Sequence, residues 1–224
     1  MLTNWMVSIC LSGSVVEEKG MAVMTPHHSA VAQQAIFHPL IVGIGGTTSP
    51  NSSSERALRA SLAAAQRYGA VTEIVTAQDL ILPMYTTDTT GRSESAQRLV
   101  ELLRRSDGII VATPAYHGVM SGLVKNALDY VEDLRADSRV YLDGRAVGSI
   151  VSAAGPQAIG TTLGAIRSMI HALRGWPTPS SAAFNTLDSS FKAEVSFNPA
   201  APDFQLDLLA RHVVDFARMR AAMH

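Results

Sequence analysis

Between Gly108 and Tyr130 the chain reads GIIVATPAYHGVMSGLVKNALDY, and few folds accommodate such a segment. Ile109, Ile110, Val111 and Ala112 form an apolar run without alternation, the pattern of a strand buried on both faces of a parallel sheet. Thr113-Pro114 is expected to end that strand. Proline lacks a ladder donor and biases its predecessor away from helical angles, which leaves Ala115–Met120 as a loop. Ser121 suits the N-cap of a helix in which Leu123, Val124, Ala127, Leu128 and Val131 recur at helical spacing, with Lys125 and Asp129 four apart on another face. In open α/β sheets ligands bind beyond the carboxyl ends of the strands, so the aromatic, histidine and glycine of this loop mark a candidate site.

The same alternation runs through the chain. Leu40–Ile44 predicts a first strand, followed by a helix from about Ser54 to Tyr68 that Gly69 stops. Val71–Val75 predicts a second strand, and a helix from about Ser93 to Arg105 turns Ala96, Leu99, Val100 and Leu103 inward. The charged stretch from Glu132 to Arg145 reads as a solvated connection. Val147–Ser152 predicts a fourth buried strand, ending in the small-residue loop Ala153-Ala154-Gly155-Pro156-Gln157. Leu163, Ile166, Met169, Ile170 and Leu173 mark a helix capped by Gly175, a short fifth strand follows near Ser180–Phe184, and Asp203–Met219 predicts the last helix. Strands alternating with helices imply an open parallel sheet of five strands covered on both faces. In the flavodoxin-like order 2-1-3-4-5, the loops after strands one, three and four converge on one pocket.

The first of those loops, Gly45-Gly46-Thr47-Thr48-Ser49-Pro50-Asn51-Ser52-Ser53-Ser54, is rich in glycine and hydroxyls and leads into a helix. Small residues let backbone N–H groups approach an anion, and the helix presents its positive end, so the loop suits a phosphate group. An ordinary polar connection has the same composition. A nucleoside-triphosphate loop would need Gly-Lys-Ser/Thr, and the loop has no lysine. A dinucleotide fingerprint would need a third glycine where Thr48 stands after Gly43-x-Gly45. A terminal phosphate fits better than a pyrophosphate.

At 224 residues and a net charge of -1, the chain has room for one full core and carries no electrostatic footprint for nucleic acid. A single cysteine, Cys10, excludes an internal disulfide framework and suits a cytoplasmic protein. Residues 1–38 are expected to form a flexible N-terminal extension, with Met21 or Met24 as alternative starts, and residues 39–224 the folded domain. The apolar run Trp5–Val16 is too short to span a bilayer. The histidines show no metal-binding spacing, and no acid pair is placed for glycoside chemistry.

The loop Gly46-Thr47 through Ser54, with Thr113-Pro114-Ala115-Tyr116-His117-Gly118 and Ser121-Gly122-x-x-Lys125-Asn126-x-x-Asp129-Tyr130, resembles the NADPH-dependent FMN reductase family over about Leu40–Phe184. The resemblance implies an oxidoreductase that takes hydride from NADPH or NADH to FMN. Thr47, Ser52 and Ser54 would hold the FMN phosphate. Pro114, Ala115, Tyr116, His117 and Gly118 would line the isoalloxazine ring, and Gly155 with Pro156 and Gln157 would close over its pyrimidine end. Many members carry an arginine where this chain has Ser49. Hydride transfer needs stacked rings rather than a general base, so no side chain is expected to be catalytic. Arg56, Arg92 and Arg145 are candidate partners for a 2′-phosphate. The resemblance also implies a homodimer, or a dimer of dimers, built partly on the motif helix, and a monooxygenase that receives reduced flavin.

Two alternatives share these loops. FMN is either released or kept as a prosthetic group that reduces quinones, azo dyes or chromate. A non-enzymatic module on the same fold is the other class. A receiver domain would need acids where Gly45-Gly46 and Thr113-Pro114 stand, and a carrier flavodoxin would be strongly acidic.

Overall fold

A computed structural model of the chain describes residues 37–187 and 204–223. The expected extension over 1–38 lies outside these residues, apart from Phe37 and His38. The central sheet comprises β1 (Leu40–Gly45), β2 (Val71–Val75), β3 (Gly108–Tyr116), β4 (Val119–Met120), β5 (Ala146–Ala153), β6 (Trp176–Pro177) and β7 (Ala182–Asn185). Five α-helices accompany it among the described residues: α1 (Ser53–Arg67), α2 (Glu94–Arg105), α3 (Gly122–Asp129), α4 (Pro156–Ala172) and α5 (Phe204–Ala221).

The sheet runs in the order β2-β1-β3-β5-β6, with these neighbours all parallel. This is the expected flavodoxin-like order, with two departures. The fifth position is shared: Trp176 and Pro177 pair with Ala146 and Val147, and Ala182–Asn185 pair with Ile150–Ala153. Pro177 and Pro179 lie at the break, where proline is tolerated because an edge strand needs no donor on its open side. The second departure is β4, which folds back antiparallel on β3.

The two faces of the sheet sort the side chains by strand period. Ile109 and Val111 join one core with Leu99, Leu103, Val124, Leu128, Ile166 and Ile170. Ile110 joins the other core with Ile41, Leu58, Leu62, Leu209 and Val213. A run apolar at every position is therefore what β3 requires. On the α1 and α5 side the helices approach closely over strand glycines. A Cβ on Gly43 would stand 2.7 Å from Leu62 Cδ1, and one on Gly148 2.6 Å from Leu209 Cδ2.

Serine caps three of the helices. Ser52, Ser93 and Ser121 accept the N–H groups of Glu55, Ala96 and Val124. Helix α1 ends in a Schellman arrangement: Gly69 N–H donates to Gln66 O, Ala70 N–H to Ala65 O, and Gly69 has φ +79°. Helix α4 differs from expectation at both ends. Pro156 is its first residue, a position where a missing N–H costs nothing, so Pro156 and Gln157 belong to the helix rather than to the loop. At its other end Arg174, not Gly175, takes the left-handed conformation, with φ +62°. Gly175 is needed for space, since its Cβ would meet Ile170 Cγ2 at 3.0 Å and Leu142 Cβ at 3.2 Å.

The charged side chains between Glu132 and Asp143 are exposed or half-buried, as a solvated connection requires, but Arg145 at its end is not. Arg145 is 1% exposed, and its guanidinium donates to Ser106 O (3.0 Å), Ser106 Oγ (3.1 Å), Tyr141 O (3.0 Å) and Arg104 O (2.8 Å). It ties the carboxyl end of α2, where carbonyls lack helical partners, to the start of β5. Burial, reinforced by Arg139, pulls its pKa down to about 10, still far above neutrality. Arg145→Met is expected to strip these acceptors of their donor and lower stability by ~3 kcal/mol or more, measured by urea unfolding.

Candidate functional site

Three loops leave the carboxyl edge of the sheet after β1, β3 and β5. The last residue of β1 that pairs with β3 is Gly45, opposite Ala112. Beyond it β3 continues alone beside β5, through Thr113↔Val151 and Pro114↔Ser152. The strand therefore does not stop at Pro114, because losing the β1 neighbour frees one edge from the ladder. It runs to Tyr116 and turns back through His117 and Gly118, with Tyr116 paired to Val119 and Ala115 to Met120. The φ values of +55° at His117 and +84° at Gly118 are those of a two-residue type I′ hairpin turn. Thr113 closes the base of this hairpin. Its buried hydroxyl donates to Pro114 O at 2.8 Å and accepts Ser121 N–H at 3.0 Å, which also holds the N-cap of α3.

After β5, Gly155 has φ +117° and donates its N–H to Asn185 Oδ1 at 3.1 Å. Helix α4 begins at once, with no side-chain cap and no acid in its first turn. Between this helix start and the β3–β4 turn lies a cavity of about 770 Å³ lined by His117, Gly118, Ala154, Gly155, Pro156, Gln157, Ala158 and Thr161. Its size is that of a small-molecule site, and its walls are mostly small side chains and backbone. A smaller cavity of about 190 Å³, bordered by Asp107, Arg139, Asp143 and Arg220, lies away from these loops.

The first loop is built differently. Gly46 has φ +105°, and its N–H donates to Ala112 O at 3.0 Å. Thr47 Oγ1 donates to Ser49 O and accepts Ser49 N–H, both at 3.1 Å. Ser52 Oγ accepts Glu55 N–H at 3.3 Å and lies 3.4 Å from the buried Ser54 Oγ. Ser52 and Ser54 thus lie at the start of α1 and Thr47 in the loop before it, and none of the three lines the cavity. Of the other expected site residues, His117, Gly118 and Gly155 line it, Pro114 and Ala115 are half-buried and do not, and Tyr116 is exposed. Two of the three loops, rather than all three, enclose this space.

Two features were not apparent from the sequence. Thr76, at the end of β2, is 6% exposed, and its hydroxyl has no hydrogen-bond partner. It lies 2.6 Å from where a Cβ on Gly46 would stand. The second is a clamp on the segment after β2. Asn126 accepts Tyr85 N–H at 2.9 Å and donates to Pro83 O at 3.0 Å, and Tyr130 donates to the same carbonyl at 2.9 Å. Arg92 forks onto Asp133 at 2.9 and 2.8 Å, with its guanidinium 4.8 Å from the Tyr85 ring centroid and 4.9 Å from that of Tyr130. Hydrogen bonds donated to Asp133 raise the Arg92 pKa, and burial, then Asp133, raises that of Tyr85. A buried asparagine amid the apolar spacing of α3 was the available signal. Arg92 and Arg145 are both committed inside the protein, so the expectation that either meets a 2′-phosphate is corrected. Lys125 and Asp129 form the expected surface pair, at 2.5 Å.

Among the described residues no group of His, Cys, Asp and Glu is arranged to hold a metal, and no helix is long and apolar enough to cross a membrane. The sheet order and the cleft at its carboxyl edge define a flavodoxin-like α/β protein. Residues 39–187 match the NADPH-dependent FMN reductase family, and the chain belongs to that family. It is 32% identical over 123 residues to an FMN-dependent NADPH-azoreductase of Staphylococcus aureus (strain USA300), covering 54% of this chain and 60% of that protein. A shorter match, 41% over 51 residues, joins it to an NADPH azoreductase of Bacillus sp. (strain OY1-2), covering 22% of this chain and 29% of that protein. The chain therefore spans less than two thirds of either relative. The apo form of an NADH:FMN oxidoreductase shares the fold at a TM-score of 0.59 and 19% identity, over 81% of this chain and 89% of that one.

Asn126→Ala should leave Tyr85 N–H without its acceptor and Pro83 C=O with the Tyr130 hydroxyl alone, lowering stability by about 1–3 kcal/mol. Hydrogen exchange at the Tyr85 amide should rise, while exchange in β1 and β3 stays slow.

Proposed function

We propose that this protein is an NAD(P)H-dependent FMN reductase whose folded domain, residues 39–224, binds the flavin at the carboxyl edge of the sheet. The observation that carries this reading is the cavity of about 770 Å³ between the His117–Gly118 turn and the start of α4. Its residues fit a flat ring: Gly118 and Gly155 remove side chains from facing walls, and the uncapped α4 offers N–H donors to the ring's polar end. Pro114, Ala115, Tyr116, His117 and Gly118 would lie along the ring, Gly155 at its pyrimidine end, and Thr47, Ser52 and Ser54 about the phosphate. FMN, when bound, supplies the chemistry by accepting hydride from NADPH or NADH. The protein's part is to hold the ring, exclude water from one face and leave the other open to a stacked nicotinamide, with no side chain moving a proton.

The names of the two azoreductase relatives support a second reading of the acceptor: the flavin stays bound and passes electrons to an azo compound or another two-electron acceptor. A homodimer in the cytoplasm completes the proposal. It is supported by the exposed apolar side chains of Tyr116 and Val119 on the hairpin and of Met84 on the clamped segment. Any monooxygenase fed by released flavin would meet the protein at this same edge.

Titrating the protein with FMN by flavin fluorescence, while following NADPH and NADH oxidation, tests the proposal. Turnover that saturates with free FMN supports the reductase. Turnover that needs an added azo or quinone acceptor supports the second reading, and no flavin binding overturns both. Gly118→Val should weaken FMN binding at least ~10-fold with the fold intact by circular dichroism, because φ +84° is strained by about 1–2 kcal/mol with a Cβ and that Cβ would stand 3.0 Å from Thr161 Oγ1.

A further inference from the structure

The first loop carries an anion of its own. Glu55, 3% exposed in the first turn of α1, accepts Asn51 N–H through Oε2 at 3.1 Å. Its Oε1 takes both Nε and Nη2 of Arg59, at 2.9 and 2.8 Å. The amide that Glu55 occupies belongs to a residue held at φ +59°, within the loop expected to meet the flavin phosphate. Between Gly46 and Ser52 the loop has no lysine or arginine, and the charge of Arg59 is balanced within its pair with Glu55. The hydroxyls of Thr47 and Ser52 are already engaged within the loop.

An independent observation lies beneath this loop. Thr76 Oγ1, buried and without a partner, lies 2.6 Å from the point where a Cβ on Gly46 would stand, and Glu55 Cβ lies 3.3 Å from the same point. A buried hydroxyl without a partner thus lies under the loop, against Gly46 and near the Cβ of Glu55. The polar groups are thus only partly matched without a further oxygen.

We propose that Glu55 determines flavin specificity by competing with the FMN phosphate for the first loop, so that FMN is held weakly and exchanges, and is preferred little over riboflavin. The proposal rests on the FMN reading above. Two anions at one helix start repel, and the isoalloxazine ring, bound in the separate cavity, does not feel the conflict. A cap with a purely structural role would alter stability and leave the relative affinity for phosphorylated and unphosphorylated flavin unchanged.

The test measures FMN and riboflavin affinity by fluorescence quenching on the full chain and two variants. Glu55→Gln keeps the size and the acceptor for Asn51 N–H while removing the charge. FMN affinity should rise on the order of tenfold, with riboflavin affinity unchanged. Arg59→Gln leaves the Glu55 charge unbalanced and should shift FMN affinity the other way, again without changing riboflavin. If flavins bind but the ratio of the two affinities is the same in all three proteins, the role of Glu55 is overturned and the flavin reading stands. If neither flavin binds any of them, the flavin reading falls and takes this inference with it.

Discussion

At the end of β1 no side chain fits. A Cβ on Gly45 would stand 1.9 Å from Ala112 O, and the next residue donates its N–H to that same carbonyl. This backbone contact is where β1 and β3 separate, β1 toward α1 on one face of the sheet and β3 toward its hairpin and then α3 on the other. The crevice between loops that leave in opposite directions is where ligands bind in such sheets. Without two glycines there, the strands would part earlier, and neither the phosphate-type loop nor the hairpin would start from its present place.

The two ends of the proposed ligand meet different physics. The cavity beside α4 is formed by absence: glycines at positive φ, alanines, and a helix start that nothing caps. The loop before α1 is crowded, its Thr47 and Ser52 hydroxyls bonded to nearby backbone and one of its amides held by a carboxylate. The two places thus differ in how many of their polar groups are already engaged within the protein. The clamp of Asn126, Tyr130, Arg92 and Asp133 holds a third segment at the same edge. It uses motif residues that touch Pro83 and Tyr85 rather than the cavity.

Much of this was legible in the sequence because it depends on local pattern. The continuous apolar run of β3 needs burial on both faces, whichever helices supply it. Ser52, Ser93 and Ser121 cap helices because a serine before an apolar 3.6-residue repeat satisfies a free N–H locally. The parallel sheet, the helix positions and the three loops at one edge followed from that alternation, whereas the family came from the resemblance carried by the Thr113–Tyr130 motif.

What only the tertiary structure decided depends on neighbours distant in sequence. Pro114 reads as a strand end, yet β3 continues because β1 has left its side and no donor is wanted there. Arg145 reads as surface charge, but it is buried because the carbonyls of Arg104, Ser106 and Tyr141 converge on it. Gly175 reads as a helix cap, but it is a packing glycine, and Arg174 makes the turn. Thr76 and Gly46 stand 30 positions apart and meet only because β1 and β2 are adjacent. The sequence by itself determined where the main strands and helices lie, since those preferences act over a few residues, but not the β3–β4 hairpin or the split edge strand. Which polar groups find partners was decided by packing, since a hydrogen bond depends on ångström distances between segments that the order of residues does not encode.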